Sequence, residues 1–393
     1  MQQGILTINA GSSSIKFALF PLAHPISPEA EVSGQIDGIG TNATRMVAKD
    51  RAGAKIADQA IAGEAVSHDL AFDALLQWFQ ATQSGWQIVA VGHRVVHGGD
   101  LYSQPTVVDA QVVAHLTSFI PLAPLHEPHN VAGIRALQKL MPSVPQVACF
   151  DTAFHRSQPE VAQVFGLPRA LTAEGIKRYG FHGLSYEFIS RALPQHSSRA
   201  TGRVVVAHLG NGASMAAMVN RKCVATTLGF STIDGLMMGT RCGNLDPGVV
   251  LHLMETKGLS VKDMTRILYK ESGLLGVSGI SQDMRTLLAS DKPEAEEAVN
   301  LFCYRIVREL GSLVAAAGGL DALVFTGGIG EHAAEVRRRV CEQSEWLGIR
   351  LDPEANARHD IVISAGASSV DVLVIPTNEE WMMAHHAQTL LAL

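Results

Sequence analysis

The sequence predicts an α/β protein built from two related domains that face a shared cleft. The first observation behind this is an internal repeat. Residues 5–20 (ILTINAGSSSIKFALF) align without a gap on residues 204–219 (VVVAHLGNGASMAAMV), 199 residues further on. Each copy is an apolar strand, a turn of small residues built on a glycine (Gly11, Gly210) and a second apolar strand; Asn9 falls opposite His208 and Ser12 opposite Asn211. The second observation is a third glycine turn, Thr326-Gly327-Gly328-Ile329-Gly330, which also follows an apolar strand. Glycine lets backbone N–H groups approach an anion closely, so three such turns predict phosphate binding. The third is size and composition: 393 residues, 47% hydrophobic and 17% charged, are enough for two domains with large cores.

The first domain opens with the hairpin at 5–20, followed by a less regular Ala- and Gly-rich stretch to about residue 63. Residues 69–83 carry an apolar stripe at helical spacing: Leu70, Phe72, Leu75, Leu76 and Phe79. Gln87–Val91 reads as a buried strand that delivers Gly92-His93-Arg94-Val95-Val96-His97-Gly98-Gly99 at its end. Residues 108–119 read as helix. Pro121, Pro124 and Pro128 then predict an extended loop carrying His126. Gln146–Phe150 reads as a strand ending at Asp151, and carboxyl ends of strands are where α/β sheets place functional groups.

The second domain starts near there. Tyr179-Gly180-Phe181-His182-Gly183 is a glycine-flanked loop before a helix, and the second hairpin and a Gly-rich segment at 229–248 follow. Residues 294–318 read as a long helix closed by Gly318-Gly319. Leu323–Phe325, the turn to Gly330 and a helix from Glu331 to Val340 make a strand–turn–helix unit able to hold an anion or a ribose. Val372–Ile375 is a last strand, and Pro376-Thr377-Asn378-Glu379-Glu380 opens a terminal helix.

A formal net charge of −6 with no Lys/Arg run argues against nucleic-acid or membrane-surface partners. Cys149, Cys223, Cys242, Cys303 and Cys341 are odd in number and lack CxxC pairing, which predicts reduced thiols in a cytosol. No secretory leader pattern and no apolar run of membrane-spanning length are present, so a cytoplasmic protein is expected.

Several standard signatures are missing: no G-x-x-x-x-G-K-[ST], no complete G-x-G-x-x-G and no G-x-S-x-G. His126-Glu127-Pro128-His129 has the residue types of a metal site, but Pro128 argues against zincin geometry. Arg94 and Arg241 each stand among glycines, which suits a guanidinium projecting toward carboxylate or phosphate oxygens better than a helix-surface ion pair. Asp151 with His155 reads either as an i,i+4 pair or as a functional strand-end carboxylate. His182 reads either as a core histidine or as a donor, and Cys242 as a small inert residue or a thiol activated by Arg241.

Taken together these motifs resemble the acetate and propionate kinases of the acetokinase group. The resemblance runs from Asn9-Ala10-Gly11-Ser12-Ser13-Ser14 to Thr377-Asn378-Glu379-Glu380. It includes Phe150-Asp151-Thr152-Ala153-Phe154-His155, Arg178-Tyr179-Gly180-Phe181-His182-Gly183 and His208-Leu209-Gly210-Asn211-Gly212. It implies duplicated actin-like ATPase domains of ribonuclease H-like (ASKHA) type facing a central cleft, with 1–150 plus 379–393 as the acyl-substrate and metal side and 151–378 as the nucleotide-binding domain. It implies reversible transfer of the ATP γ-phosphoryl group to acetate, giving acetyl phosphate and ADP by in-line displacement, with Mg²⁺ or Mn²⁺, in a homodimer. Asn9 and Glu379 would hold the metal. Lys16 and His208, Leu209, Gly210, Asn211 and Gly212 would contact the phosphates. Asp283, Met284 and Arg285 with Gly328, Ile329, Gly330, Glu331 and His332 would hold the adenosine end. Asp151 would be the essential carboxylate and Arg94 the substrate-carboxylate ligand, with His182 and Arg241 on the moving phosphoryl group. Val96, Leu125, Phe181 and Thr232 would line the acyl pocket.

Such chemistry suits these residues. A carboxylate is already ionised at pH 7 and needs no general base, so catalysis consists of bringing two anions together and neutralising charge. The chain departs from the group's pattern at Ser231-Thr232-Ile233-Asp234-Gly235 (usually Thr-Pro-Leu-Glu-Gly), Arg241-Cys242-Gly243-Asn244 (Arg-Ser-Gly-Asp), His182-Gly183-Leu184-Ser185-Tyr186 (His-Gly-Thr-Ser-His) and Gly330-Glu331-His332 (Gly-Glu-Asn). Thr232 therefore bears on acyl-chain preference and His332 on the nucleotide base. The alternatives are a propionate-preferring kinase, a sugar or polyol kinase, which needs a carboxylate base facing a hydroxyl, and a non-catalytic actin-like assembly protein.

Overall fold

Among the described residues, thirteen strands form two sheets, one in each of two compact units. The computed structural model describes residues 1–83 and 85–393. The first unit is Met1–Ala153 with Asn378–Leu393, and the second is Phe154–Thr377.

The first sheet is built from β1 (Gln2–Ala10), β2 (Ser14–Pro21), β3 (Val32–Asp37), β4 (Arg45–Asp50), β5 (Lys55–Ala60), β6 (Trp86–Val95), β7 (Thr106–Val107) and β8 (Gln146–Phe150) in the order β5-β4-β3-β2-β1-β6-β8-β7. The second is built from β9 (Arg203–Leu209), β10 (Ala213–Val219), β11 (Lys222–Thr226), β12 (Ala322–Thr326) and β13 (Asp371–Val374) in the order β11-β10-β9-β12-β13. The stretch β3-β2-β1-β6-β8 repeats the whole second sheet, pairing for pairing. Two antiparallel ladders lead to the first strand, and two parallel ladders lead away from it. The duplication read from the hairpins is thus a duplication of the sheet.

The ungapped alignment breaks at the turn. Ala10 pairs with Ile15 across a four-residue turn, whereas Leu209 pairs with Ala213 across three. Beyond the turn the second copy therefore runs one residue short, so Asn9 faces Lys16 where His208 faces Ser214.

Four sequence expectations need correcting. The stretch to residue 63 is not irregular: it holds β3, β4 and β5, which extend the ladder from β2. These strands bury at most one face, and β5 is almost wholly exposed, so they lack the apolar runs that mark β1 and β8. β6 continues to Val95, which puts Gly92, His93 and Arg94 inside the strand. The prolines after residue 120 do not make one extended loop. A short 3-10 turn, Ile120–Leu122, leads into a helix, Glu127–Leu140, with Pro128 in the first turn, where its missing N–H costs nothing. Finally, the glycines after β12 are helical (Gly327–His332), and the chain breaks at Ala333 before a second helix, Ala334–Gln343.

The helices His68–Thr82 and Glu127–Leu140 cover the first sheet, and Phe72, Leu75, Phe79 and Leu137 pack with Ile8, Phe17 and Val91 into one core. Capping fits the sequence: Ser67 accepts from the Leu70 N–H, and Asp109 from the Val112 N–H. The terminal helix Glu379–Leu391 packs on β1, β6 and β8. It comes so close that a Cβ on Gly92 would lie 2.9 Å from the Met383 carbonyl oxygen, so the strand needs glycine there. In the second unit the helix Gly183–Ala192 packs on the central strands through Tyr186 and Ile189, while Pro293–Ala317 runs across β9, β10 and β11. Among the described residues no helix is long and apolar enough to cross a membrane.

Candidate active site

Three neighbouring parallel strands of the first unit, β1, β6 and β8, carry Asn9, Arg94 and Asp151 at or just beyond their carboxyl ends. Arg94 Nη2 donates to Asp151 Oδ2 at 2.5 Å, and Nε lies 3.1 Å from both carboxylate oxygens. Nη1 donates to Asn9 Oδ1 at 3.2 Å. The Asp151 side chain is fully buried and that of Arg94 is 19% exposed. Burial opposes the Arg94 charge, but Asp151 and Glu379 more than offset it and hold its pKa above the ordinary guanidinium range.

Glu379 enters this cluster from the first turn of the terminal helix, with Oε2 4.0 Å from Arg94 Nε. Asn378 starts that helix by accepting from the Trp381 N–H, and an acidic first turn suits the helix dipole. Burial pushes the Glu379 carboxyl well above the usual range; Arg94 opposes the rise, and Asp151 and Glu380 add to it.

Behind the strand ends is a buried polar frame that the sequence reading missed. Asn130 accepts from the Val96 N–H at 2.9 Å and donates to the Ala10 carbonyl at 2.9 Å, which ties the ends of β1 and β6 together. Glu127 is fully buried. Its Oε2 accepts from the His97 N–H at 3.2 Å and its Oε1 has no partner. Burial pushes this carboxyl up to about 8. The only sequence signal was the His126–His129 run, which suggested a metal.

The second unit gathers a different set. His182 precedes the helix Gly183–Ala192 with left-handed backbone (φ 59°), an uncommon conformation for a non-glycine residue. Its Nδ1 is 2.8 Å from Ser214 Oγ, and its ring stacks on His208 at 4.4 Å. His208 Nδ1 is in turn 2.8 Å from Ser185 Oγ. A Cβ on Gly212 would lie 3.5 Å from His182 Nε2 and 3.7 Å from Arg241 Nη1, so the turn Gly210–Gly212 has an imidazole and a guanidinium beside it. Arg241 Nη1 is steadied by the Thr232 carbonyl at 3.1 Å. The His155 ring bonds the Phe181 carbonyl and Cys223 Sγ. Burial raises the Cys242 thiol, which argues against a reactive thiolate.

The remaining candidates are spread out. Asp283 caps the helix Met284–Leu288 and pairs with Arg285 at 2.5 Å; that arginine is 90% exposed, and the pairing lowers Asp283 to about 2. Glu331 turns inward, accepting from the Gly327 and Thr377 N–H groups, while His332 is 77% exposed. Gly328, Ile329 and Gly330 lie in the same short helix, whose last carbonyls, Gly330 and Glu331, are held by the buried Arg337. Lys16 belongs to the first unit and His208–Gly212 to the second; Lys16 lines a surface pocket of about 580 Å³ with Lys49, Asn378 and Glu380. Of the acyl-pocket candidates, Val96 and Leu125 belong to the first unit and Phe181 and Thr232 to the second. Val96 and Phe181 are fully buried.

Two ribonuclease H-like sheets of this order define the chain as an actin-like ATPase-fold protein, and its solved structural neighbours share that frame. A propionate kinase from Francisella tularensis superposes with a TM-score of 0.91 at 37% identity over 98% of this chain and 99% of that one. The Porphyromonas gingivalis acetate kinase superposes with a TM-score of 0.88 at 36% identity over 99% and 100%. In sequence, the chain is 56% identical to an acetate kinase of Rhodopseudomonas palustris over 98% of both chains. It is 51% identical to one of Methylocella silvestris over 100% of this chain and 98% of the relative. The acetokinase family model matches residues 4–385, and the chain belongs to that family.

Proposed function

We propose that this chain transfers the γ-phosphoryl group of ATP to acetate, reversibly and with Mg²⁺, giving acetyl phosphate and ADP. The observation that carries the reading is Arg94, held by Asp151 at the strand ends of the first unit with an edge of its guanidinium uncommitted to the carboxylate. Asp151 takes the Nε/Nη2 edge and Asn9 takes one Nη1 hydrogen, so an incoming carboxylate would use the remaining Nη1 and Nη2 hydrogens. The second unit supplies the complementary half of the chemistry: His182 and Arg241 beside a glycine turn suited to phosphate oxygens. We assign acyl substrate and metal to the first unit and nucleotide to the second, with Lys16 as a phosphate ligand carried by the first.

Asn9 and Glu379 offer the hard oxygen donors that Mg²⁺ takes alongside water and phosphate oxygens, and Mn²⁺ fits the same set. Asp151, Glu379 and Glu380 outnumber Arg94 and Lys16 in charge around this cluster, a surplus that a divalent cation offsets. When bound, the metal neutralises phosphate charge. Asp151 orients Arg94. Because the acceptor carboxylate attacks directly, no general base is assigned.

A propionate preference is the second reading, favoured by Thr232 and by the likeness to a propionate kinase. A hydroxamate assay with acetate, propionate, butyrate and glycerol separates the two from each other and from a polyol kinase. Acyl phosphate formed from none of the three acids overturns the proposal. We further propose a cytosolic homodimer, supported by the family and by five free thiols, which mass-resolved chromatography of the purified protein tests.

A further inference from the structure

Behind His182 lies a short chain of hydroxyls that the proposed function does not use. Ser214, on β10, sits between two groups: its Oγ is 2.8 Å from His182 Nδ1 and 2.5 Å from the Tyr186 hydroxyl. Ser214 and Tyr186 have no exposed surface, and the Tyr186 ring is packed edge-on to His155 and stacked with Phe154. On the opposite side of the imidazole, Nε2 faces the Gly212 position next to Arg241 Nη1.

We infer that Ser214 and Tyr186 are positioning residues that fix His182 as the Nε2–H tautomer, so that the ring presents a donor to a phosphoryl group at the Gly210–Gly212 turn. A neutral imidazole has one N–H and one lone pair, and a serine hydroxyl has one hydrogen. A chain in which Ser214 accepts from both neighbours strands the Ser214 hydrogen in a fully buried site, at the cost of an unmet donor. Two polarities use that hydrogen. In one, Tyr186 donates to Ser214 and Ser214 donates to His182 Nδ1, which leaves the proton on Nε2. In the other, Nδ1–H donates outward through Ser214 to Tyr186, and Nε2 turns a lone pair to the turn. Two facts select the first. A phenol is the stronger acid of the two hydroxyls and so the better donor. An Nε2 lone pair facing anionic oxygens would repel them, whereas an N–H joins Arg241 in stabilising them. The bonded partner sets the tautomer of the ring. The αL backbone of His182 fixes where the ring starts, and the stack on His208 fixes its plane.

This inference rests on the proposed role of His182, and its test separates the two. Nitrogen NMR of protein labelled at histidine reads the tautomer without turnover, with His182→Gln identifying the signal. A pyridine-type Nδ1 and a pyrrole-type Nε2 are expected. The reverse pattern overturns the inference whatever the activity. In kinetics, Ser214→Ala and Tyr186→Phe should lower kcat by about tenfold, the loss of roughly one hydrogen bond's worth of alignment, with KM for ATP and acetate within about twofold. Ser214→Thr keeps the hydroxyl and should recover most of kcat. Unchanged kcat in both Ser214→Ala and Tyr186→Phe, or a threonine variant no better than alanine, overturns it. By contrast, full activity in His182→Ala would sink the role of the ring itself and leave the tautomer result standing.

Discussion

Arg94 and Asp151 lie 57 residues apart in sequence on adjacent parallel strands, and their side chains meet as a buried pair with a 2.5 Å contact. This pair organises the first unit's strand ends. The carboxylate has no exposed surface, so its charge is committed to holding the guanidinium, while Asn9 steadies Nη1 from β1. An anion arriving at Arg94 meets a guanidinium already oriented, with little side-chain entropy left to lose.

Arg94→Ala should raise KM for acetate strongly and change KM for ATP little. Losing a charge-assisted contact to a carboxylate costs about 2–4 kcal/mol. It also strands Asp151 without its partner, so a lower Tm is expected in the same variant. Acetate KM within about twofold of the unmodified protein removes Arg94 from the substrate site.

Asp151→Asn should abolish turnover. Asparagine keeps the shape and one acceptor but leaves the Arg94 charge poorly balanced in a buried setting, so a destabilisation of about 1–3 kcal/mol is expected as well. Kinetics and chemical denaturation on the same sample measure both. A variant as stable as its parent and retaining a substantial share of kcat shows that the pair orients nothing that matters for turnover.

Arg241→Lys should be nearly as damaging as Arg241→Ala, and in kcat more than KM. Arg241 Nη1 is tied to the Thr232 carbonyl, which anchors the planar fork that would span two phosphoryl oxygens. A lysine ammonium keeps the charge but has no second arm. Near-normal kcat in the lysine variant would mean a point charge suffices.

Glu127→Gln should raise stability at pH 8 and change it little at pH 5. Burial raises the Glu127 pKa from an ordinary 4.5 to about 8, so the folded protein keeps a proton that the unfolded chain releases. Stability is therefore lost as pH climbs from about 4.5 to about 8, at a limiting slope of about 1.4 kcal/mol per pH unit. Glutamine mimics the protonated acid and has nothing to ionise. The measurement is Tm against pH for both proteins; parallel curves across that window mean the carboxyl is ionised in the fold.

What was legible in the sequence follows from burial. β1, β2, β9 and β10 are mostly buried, so they read as apolar runs, and their glycine turns marked both copies of the repeat. β3 and β4 mix exposed and buried residues, β5 is almost wholly exposed, and all three are held by the ladder from β2, a tertiary cause that local sequence does not carry. Arg94, Asp151, His182 and Arg241 were each marked as candidates by strand ends or glycine neighbours, but the Arg94–Asp151 contact was not, since pairing across parallel strands leaves no mark at short range. Asn130, Glu127 and Ser214 were missed for the same reason: each is an ordinary polar residue in a helix or strand, given meaning only by what lies across from it.

Thr232→Pro should shift the ratio of propionate to acetate kcat/KM. Thr232 is nearly buried, and its carbonyl orients Arg241, a role that proline keeps because it retains the C=O. What proline removes is the N–H and the hydroxyl, the latter close to Tyr269. The Arg241 contact should therefore survive, and the change should fall on the shape and polarity around the side chain. One methylene in an apolar pocket is worth about 1–3 kcal/mol, so the shift should be graded, with acetate turnover persisting. Steady-state kinetics of both proteins with both acids measure it. An unchanged ratio would free position 232 from chain-length selection and leave its carbonyl, as the anchor of Arg241, its only assigned part.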